Sequence, residues 1–219
     1  MIWRSTARGK SSSTCRACAE ARPLRIIRAS SCKSMPWKNG GGSTTEIAAS
    51  PRGASLETFD WRISMARVAS DGPFSSFPGV DRTLAIVQGH GLELIVGGAP
   101  PLTLTQETAP VAFAGDVATQ AKLIDGETTD LNVMTRRGRW QHRLLRCAEA
   151  TRCEFEDCDI AVVVALRGRI EVITGSARET LAPRDAALLQ RDPDFGVQIV
   201  PAEASACYLV LLRPAALPG

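Results

Sequence analysis

Residues 35–47, MPWKNGGGSTTEI, set an indole, an ammonium and an amide (Trp37, Lys38, Asn39) against three consecutive glycines, Gly40–Gly42. A plain turn needs one or two glycines, because Gly reaches φ > 0 without a Cβ clash. Three in a row cost ordering entropy, and close approach of the backbone to a ligand is one way to offset it. Successive N–H groups of a glycine turn form a nest for anions, and a neighbouring Lys adds charge of the right sign.

Two further segments carry chemistry of the same kind. In DGPFSSFPGVDR (71–82), Gly72-Pro73 and Pro78-Gly79 bracket Phe74 and Phe77, with Asp81-Arg82 at the exit. The phenylalanines either frame a pocket or plug a barrel end. Arg82 either presents a guanidinium to a ligand or pins the loop in an ion pair. In DLNVMTRRGRW (130–140), Asn132 and Met134 share one strand face and Leu131 and Val133 the other. An inward Asn in a small barrel is either a satisfied core amide or a ligand contact. Arg136 and Arg137 follow at the strand end, one of them read as a solvated turn residue.

Lys38, Asn39, the glycine N–H groups, Arg62, Arg82, Asn132 and Arg136 are donors almost without exception. If these segments converge, their natural ligand is a small carboxylate, with Trp37 or Trp61 as an apolar wall. Glu46 would then balance Lys38 while the site is empty.

Other chemistries are disfavoured. Only His90 and His142 occur, without His-x-His or His-x-x-x-His spacing, so neither a metal site nor any other cofactor is expected. His90, in Gly89-His90-Gly91, reads as an exposed hairpin tip. A Gly-x-Ser-x-Gly nucleophile elbow is missing. Gly9-Lys10-Ser11 lacks the upstream glycine of a P-loop, since Arg4 stands there. Cys15-x-x-Cys18 has no second pair in register, and the seven scattered cysteines read as reduced cytosolic thiols.

The elements that would position these residues are strands. Short β-branched runs recur between Gly, Pro, Asp and Ser, which predicts an all-β sandwich or barrel. Trp61, Ile63 and Met65 alternate with Arg62 and Ser64, whereas Ile160–Leu166 does not alternate and is expected to be buried on both faces. GLELIVGG (91–98) resembles RIEVITGS (169–176), each after an apolar strand and a glycine hairpin. The repeat favours two tandem β-barrels, joined near Arg139–Thr151. The expected division is a disordered basic extension over 1–22, a first barrel over 23–140 and a second over 141–219.

Charge divides the chain in the same way. Residues 1–33 hold eight Arg or Lys and one acid, a net +7; the rest holds 18 basic and 22 acidic residues, a net −4. The main body is mildly acidic and offers no nucleic-acid surface. Its apolar runs are strand-sized, so no membrane partner is expected. The first 22 residues lack the apolar stretch of a secretory signal and only loosely fit a transit peptide.

MPWKNGGGSTTEI, FDWRISMARVASDGPFSSFPGVDRTLAIVQGHGLELIVGG, FAGD and DLNVMTRRG resemble, in order and content, the HutD family of histidine-utilisation proteins and its Ves-like relatives. The likeness spans roughly residues 24–140 and implies a bicupin, two jelly-roll-like barrels on one chain. It also implies a bacterial cytoplasmic protein that binds an acidic intermediate of histidine degradation, such as N-formylglutamate, in a regulatory role. A metal-independent enzyme on a small organic acid is the alternative, with Glu46 or Asp81 as base; a homodimer is left open. The pocket residues implied are Trp37, Lys38, Asn39, Glu46, Trp61, Arg62, Ser64, Phe77, Asp81, Arg82, Asn132 and Arg136, to which the nest reading of the glycine turn adds Gly40 and Gly41. Metal chemistry is not inherited from the fold, because the histidine cluster of metal-binding cupins is missing.

Overall fold

A computed structural model describes residues 24–216. The basic segment 1–22, with its Gly9-Lys10-Ser11 and Cys15–Cys18 motifs, lies outside the described residues. One 3-10 turn, Ala29–Ser31, interrupts a succession of strands. In the first half these are β1 Leu24–Ile27, β2 Ser34–Pro36, β3 Gly42–Ser50, β4 Trp61–Val68, β5 Gly72–Pro73, β6 Val80–Gln88, β7 Leu92–Val96, β8 Leu102–Leu104, β9 Val111–Ala114, β10 Thr119–Leu123 and β11 Thr128–Arg136. The second half adds β12 Trp140–Cys147, β13 Thr151–Cys153, β14 Ile160–Arg167, β15 Ile170–Thr174, β16 Ala177–Leu181, β17 Ala186–Gln190, β18 Val197–Pro201 and β19 Ala206–Pro214. No described helix is long and apolar enough to cross a membrane.

The faint repeat is a repeat of topology. One unit has β4-β11-β6-β9 in one sheet and β5-β10-β7-β8 in another; the second unit has β12-β19-β14-β17 and β13-β18-β15-β16. Each strand of the first unit thus has a counterpart eight places on in the second, and the two matched octapeptides fall on β7 and β15. The hairpin β2–β3 extends the first unit beyond β4. β1 extends the second beyond β17, with Leu24 opposite Leu189. The expectation that residue 23 opens the first barrel is therefore corrected for this strand. Leu24 and Ile26 pack into the apolar interior of the second unit, and their backbone covers the otherwise open edge of β17. β12 falls where only a joint between barrels was expected, and forms the other edge of that sheet.

Side-chain alternation sends every second residue to each face of a strand. One face of the β3-β4-β11-β6 sheet carries Trp61, Ile63, Met65, Ala85, Leu131 and Val133. These pack against Leu144, Val162, Val164, Leu188, Tyr208 and Val210 of the second unit. This shared core joins the barrels, and each fully buried aliphatic side chain contributes about 1.5–3 kcal/mol. β14 is buried on both faces, as its sequence predicts.

The two interiors differ. That of the second barrel is apolar throughout, built from residues such as Val163, Ile170, Val172, Leu181, Ile199 and Leu209, with Cys147, Cys153, Cys158 and Cys207 among them. In the first barrel, Leu84, Ile86, Leu92, Leu94 and Leu104 fill one part. Arg62, Ser64, Arg82, Asp130 and Asn132 are also buried there. Burying that much polarity without function is costly.

Candidate functional site

Strand register assembles the polar interior. Glu46 lies opposite Ser64 across β3 and β4, following which a bulge shifts the register by one. Ser64 lies opposite Asn132, and Arg62 opposite Met134. Met134 in turn lies opposite Arg82. The two arginines therefore stand level, two strand spacings or about 9.5 Å apart at their backbones. Asp130 is two residues from Asn132 on β11, on the same face.

Each arginine has a different environment. Arg62 donates from Nε to Glu46 Oε2 at 2.9 Å and from Nη1 to Ser64 Oγ at 3.3 Å. The Arg62 side chain is 5% exposed, whereas Glu46 is 31% exposed and meets solvent. Arg82 donates from Nη2 to Asn132 Oδ1 at 2.8 Å and from Nη1 to the Ser75 carbonyl at 3.3 Å. Its guanidinium lies 5.0–5.4 Å from the ring centres of Phe74, Phe77 and Phe113, three favourable but weak cation–π contacts. No carboxylate pairs with it among the described residues, and its buried Nε has no partner. Burial drops its pKa to about 10; Asp130 opposes the shift and the Arg62 charge adds to it.

Behind Asn132 sits a buried acid. The Asn132 amide donates to Asp130 Oδ1, while Asp130 Oδ2 is buried without a partner. Burial pushes this carboxyl up to about 7, against the pull of the Arg82 charge and the hydrogen bonds from Asn132 and the Ala66 backbone. Arg82, Asn132 and Asp130 form a relay in which neither charged end is fully matched.

Several expected site residues lie elsewhere. Gly42 pairs with Val68, six residues along β4 from Arg62, so the triglycine bend stands about 20 Å from that arginine's backbone. Its N–H groups are engaged: Gly40 donates to the Trp37 carbonyl at 3.0 Å and Gly41 to Asn39 Oδ1 at 3.1 Å. A Cβ on Gly42 would come within 2.2 Å of the Arg67 carbonyl oxygen and 2.9 Å of the Trp37 ring. Gly41 and Gly42 thus allow close packing of the protein on itself while Gly40 supplies a positive-φ turn, and the anion-nest reading is corrected. Lys38, Asn39 and Gly40 are exposed on the β2–β3 turn, and Glu46 balances Arg62 instead of Lys38. Trp37 is half-buried, with Nε1 donating to Thr44 Oγ at 2.8 Å. Thr44 shares the inner face with Glu46, one pleat repeat away.

Trp61 faces away from Arg62 into the core between the barrels. Asp81 also points outward, held by Arg137 at 2.8 Å. Arg136 lies over the Phe59 ring and donates to the carbonyls of Glu57, Phe59 and Pro78, pinning a loop. Neither Arg136 nor Arg137 joins the other two arginines. Phe77 meets Phe59 edge-on, with ring centres 6.4 Å apart, and faces the Arg82 guanidinium.

Three participants were not foreseen. Asp130 and Phe113 follow from alternation, sharing faces with Asn132 and Arg82. His142 lies in the seam between barrels, with Nδ1 2.8 Å from Thr135 Oγ and Nε2 2.8 Å from Thr83 Oγ. It borders an open cleft of about 450 Å³ lined also by Asp81, Arg82, Thr83, Phe113 and Thr135. Burial drops its pKa to about 4, slightly opposed by Asp81. His90 is exposed at its hairpin tip, as expected.

A divalent cation does not fit the barrel interior. Two guanidinium groups dominate it, no imidazole enters it, and no three His, Cys, Asp or Glu side chains gather to hold a metal among the described residues. The cluster can instead attract an anion, with Arg82 offering an unused N–H and Arg62 a bond shared with a solvent-facing carboxylate.

Comparison with known proteins agrees with this architecture. The family model described as HutD matches residues 29–208. An uncharacterised 21.2 kDa protein in the hutC 3' region of Pseudomonas putida is 34% identical over 178 residues, covering 80% of this chain and 92% of that protein. The structure of HutD from Pseudomonas fluorescens SBW25, in a formate condition, superposes with a TM-score of 0.76 at 31% identity, covering 88% of this chain and all of that one. A cupin 2 conserved barrel domain protein from Leptotrichia buccalis, 11% identical with a TM-score of 0.50 over 82% of this chain and 92% of that one, shares the fold alone. The chain is a two-barrel cupin-like protein and belongs to the HutD family.

Proposed function

We propose that this protein binds a small carboxylate metabolite inside its first barrel, as a metal-independent sensor or regulator in a bacterial cytoplasm. One observation carries the reading: Arg82 is buried, caged by three phenylalanines, and has an Nε–H with no acceptor. A buried, unmatched guanidinium is costly to keep. A ligand carboxylate supplies the missing charge and takes that N–H, while Arg62 exchanges Glu46 for the second oxygen or a second carboxylate. The phenylalanines give the ligand carbon atoms an apolar wall.

The P. putida relative is named for its place in the hutC 3' region, and the P. fluorescens HutD structure is of a formate condition. With the acidic intermediate that the family resemblance implies, they make N-formylglutamate and its fragments the first probes to try. Calorimetry of the full chain against N-formylglutamate, glutamate, formate and urocanate tests the reading. Saturable heat with at least one, lost in Arg82→Gln, is expected; silence from all four in a folded sample contradicts it.

A second reading has one observation in its favour. Asp130, held near neutrality, can accept or donate a proton close to a bound acid, the property of a general acid or base. Glu46 and Asp81, the bases foreseen from sequence, are engaged by Arg62 and Arg137. If turnover occurs, Asp130→Asn should retain binding and abolish product formation. Product formation at the wild-type rate in that variant excludes Asp130 from the step.

A further inference from the structure

The seam between the barrels opens beside His142 and again away from it. At the other end of β6 and β12 lies a cavity of about 220 Å³, bordered by Gln88 and Gln106 of the first unit and by Arg146, Arg167 and Tyr208 of the second. That volume equals the liquid share of about seven waters, enough for a small organic molecule but small for a drug-sized one.

Its polar lining is biased toward donors. Tyr208 is 1% exposed, borders the cavity, and its hydroxyl makes no hydrogen bond to a described residue. Burial raises the phenol's pKa, opposed by the nearby Arg146 charge, so it keeps its proton and remains a donor at neutral pH. Gln88 has its Oε1 occupied by Arg184 Nη2 at 2.7 Å, leaving its amide hydrogens free. Arg146 is turned toward the loop after β8, donating to the Gln106 carbonyl. Among the described residues neither Arg146 nor Arg167 has an acid partner. Val87 and Leu166 supply apolar wall between these groups.

We propose that this seam cavity is a second carboxylate site, distinct from the interior of the first barrel. It takes a small monocarboxylate with a short apolar tail. The Tyr208 hydroxyl and the Gln88 amide donate to the carboxylate, the guanidinium groups of Arg146 and Arg167 neutralise it, and the tail lies on Val87 and Leu166. A bound anion would touch strands of both units, tying the two barrels together.

Tyr208 is the only tyrosine in the sequence. Full-length protein carrying 3-fluorotyrosine therefore gives one 19F resonance, and it comes from the proposed site. Titration with butyrate should move this resonance saturably, and titration with inorganic phosphate should do so less well. Arg146 and Arg167 are both exposed, so the double variant Arg146→Gln/Arg167→Gln should fold and bind at least about tenfold more weakly. Arg82→Gln should leave the 19F titration unchanged, which separates this site from the barrel interior. The proposal is overturned by no saturable shift with butyrate, by a stronger response to phosphate, by equal affinity in the double variant, or by loss of the response in Arg82→Gln.

Discussion

Arg82 and Asp130 are buried in the same barrel yet do not touch, because Asn132 stands between them, accepting from one and donating to the other. Direct contact would neutralise both. The intervening amide keeps the cation available to something from outside. Asn132→Asp should then place a carboxylate on Arg82 and occupy it. Carboxylate affinity should fall about ten- to a hundredfold, the worth of one charge-assisted bond. Unchanged affinity in calorimetry would show that the ligand does not use Arg82.

Glu46 predicts the opposite sign. It is a partly exposed internal carboxylate on Arg62, so it competes with any ligand for that guanidinium. Glu46→Gln should tighten carboxylate binding severalfold, because the internal charge that competes for Arg62 is removed. Weaker binding in the variant would mean that Glu46 contacts the ligand favourably.

Two buried groups set stability against pH in opposite directions. Asp130 titrates near 7 when folded and near 3.8 when unfolded, so the folded state holds an extra proton between those values. Its contribution is complete below about 4 and is lost as pH rises toward 7. His142 titrates near 4 when folded and near 6.5 when unfolded, so its contribution grows over almost the same window. Each slope is about 1.4 kcal/mol per pH unit at most, and in the wild type they largely cancel. Urea melts at pH 4.5 and 6.5 should show Asp130→Asn gaining stability with pH and His142→Gln losing it, relative to wild type. Parallel profiles for all three proteins would mean that these groups titrate normally.

The triglycine bend separates packing from binding. Gly42→Ala drives a methyl into the Arg67 carbonyl and the Trp37 ring and should cost about 1–3 kcal/mol, as overpacking does. Gly40 has φ +73° and open space around it, so Gly40→Ala should cost about 1 kcal/mol from backbone strain alone. Lys38→Ala should change neither stability nor carboxylate affinity. A clear loss of affinity in Lys38→Ala would return the bend to the site.

Much of the architecture was legible because alternation and glycine punctuation are local signals. They placed Arg62 and Ser64 opposite Trp61 and Ile63, and they exposed the topological repeat through β7 and β15. The same rule, carried two residues back from Asn132, reaches Asp130; an acid at the start of a strand reads instead as a solvated end. β12 was lost because Arg143 and Arg146 give it the look of a basic linker, when charge is what an edge strand carries. Local signals say nothing of register. That Arg62 stands level with Arg82, and that Glu46 meets Arg62 across a bulge, depends on pairings between distant segments. The partners that require the triglycine, Arg67 above all, are likewise fixed by strand pairing.

The most direct test is a crystal structure of the full chain with N-formylglutamate or formate bound. A carboxylate oxygen should lie about 2.8 Å from Arg82 Nε, a charge-assisted distance, inside the ring of Phe74, Phe77 and Phe113. Ligand density confined to the protein surface, with Arg82 Nε still bare in a saturated crystal, contradicts the central claim.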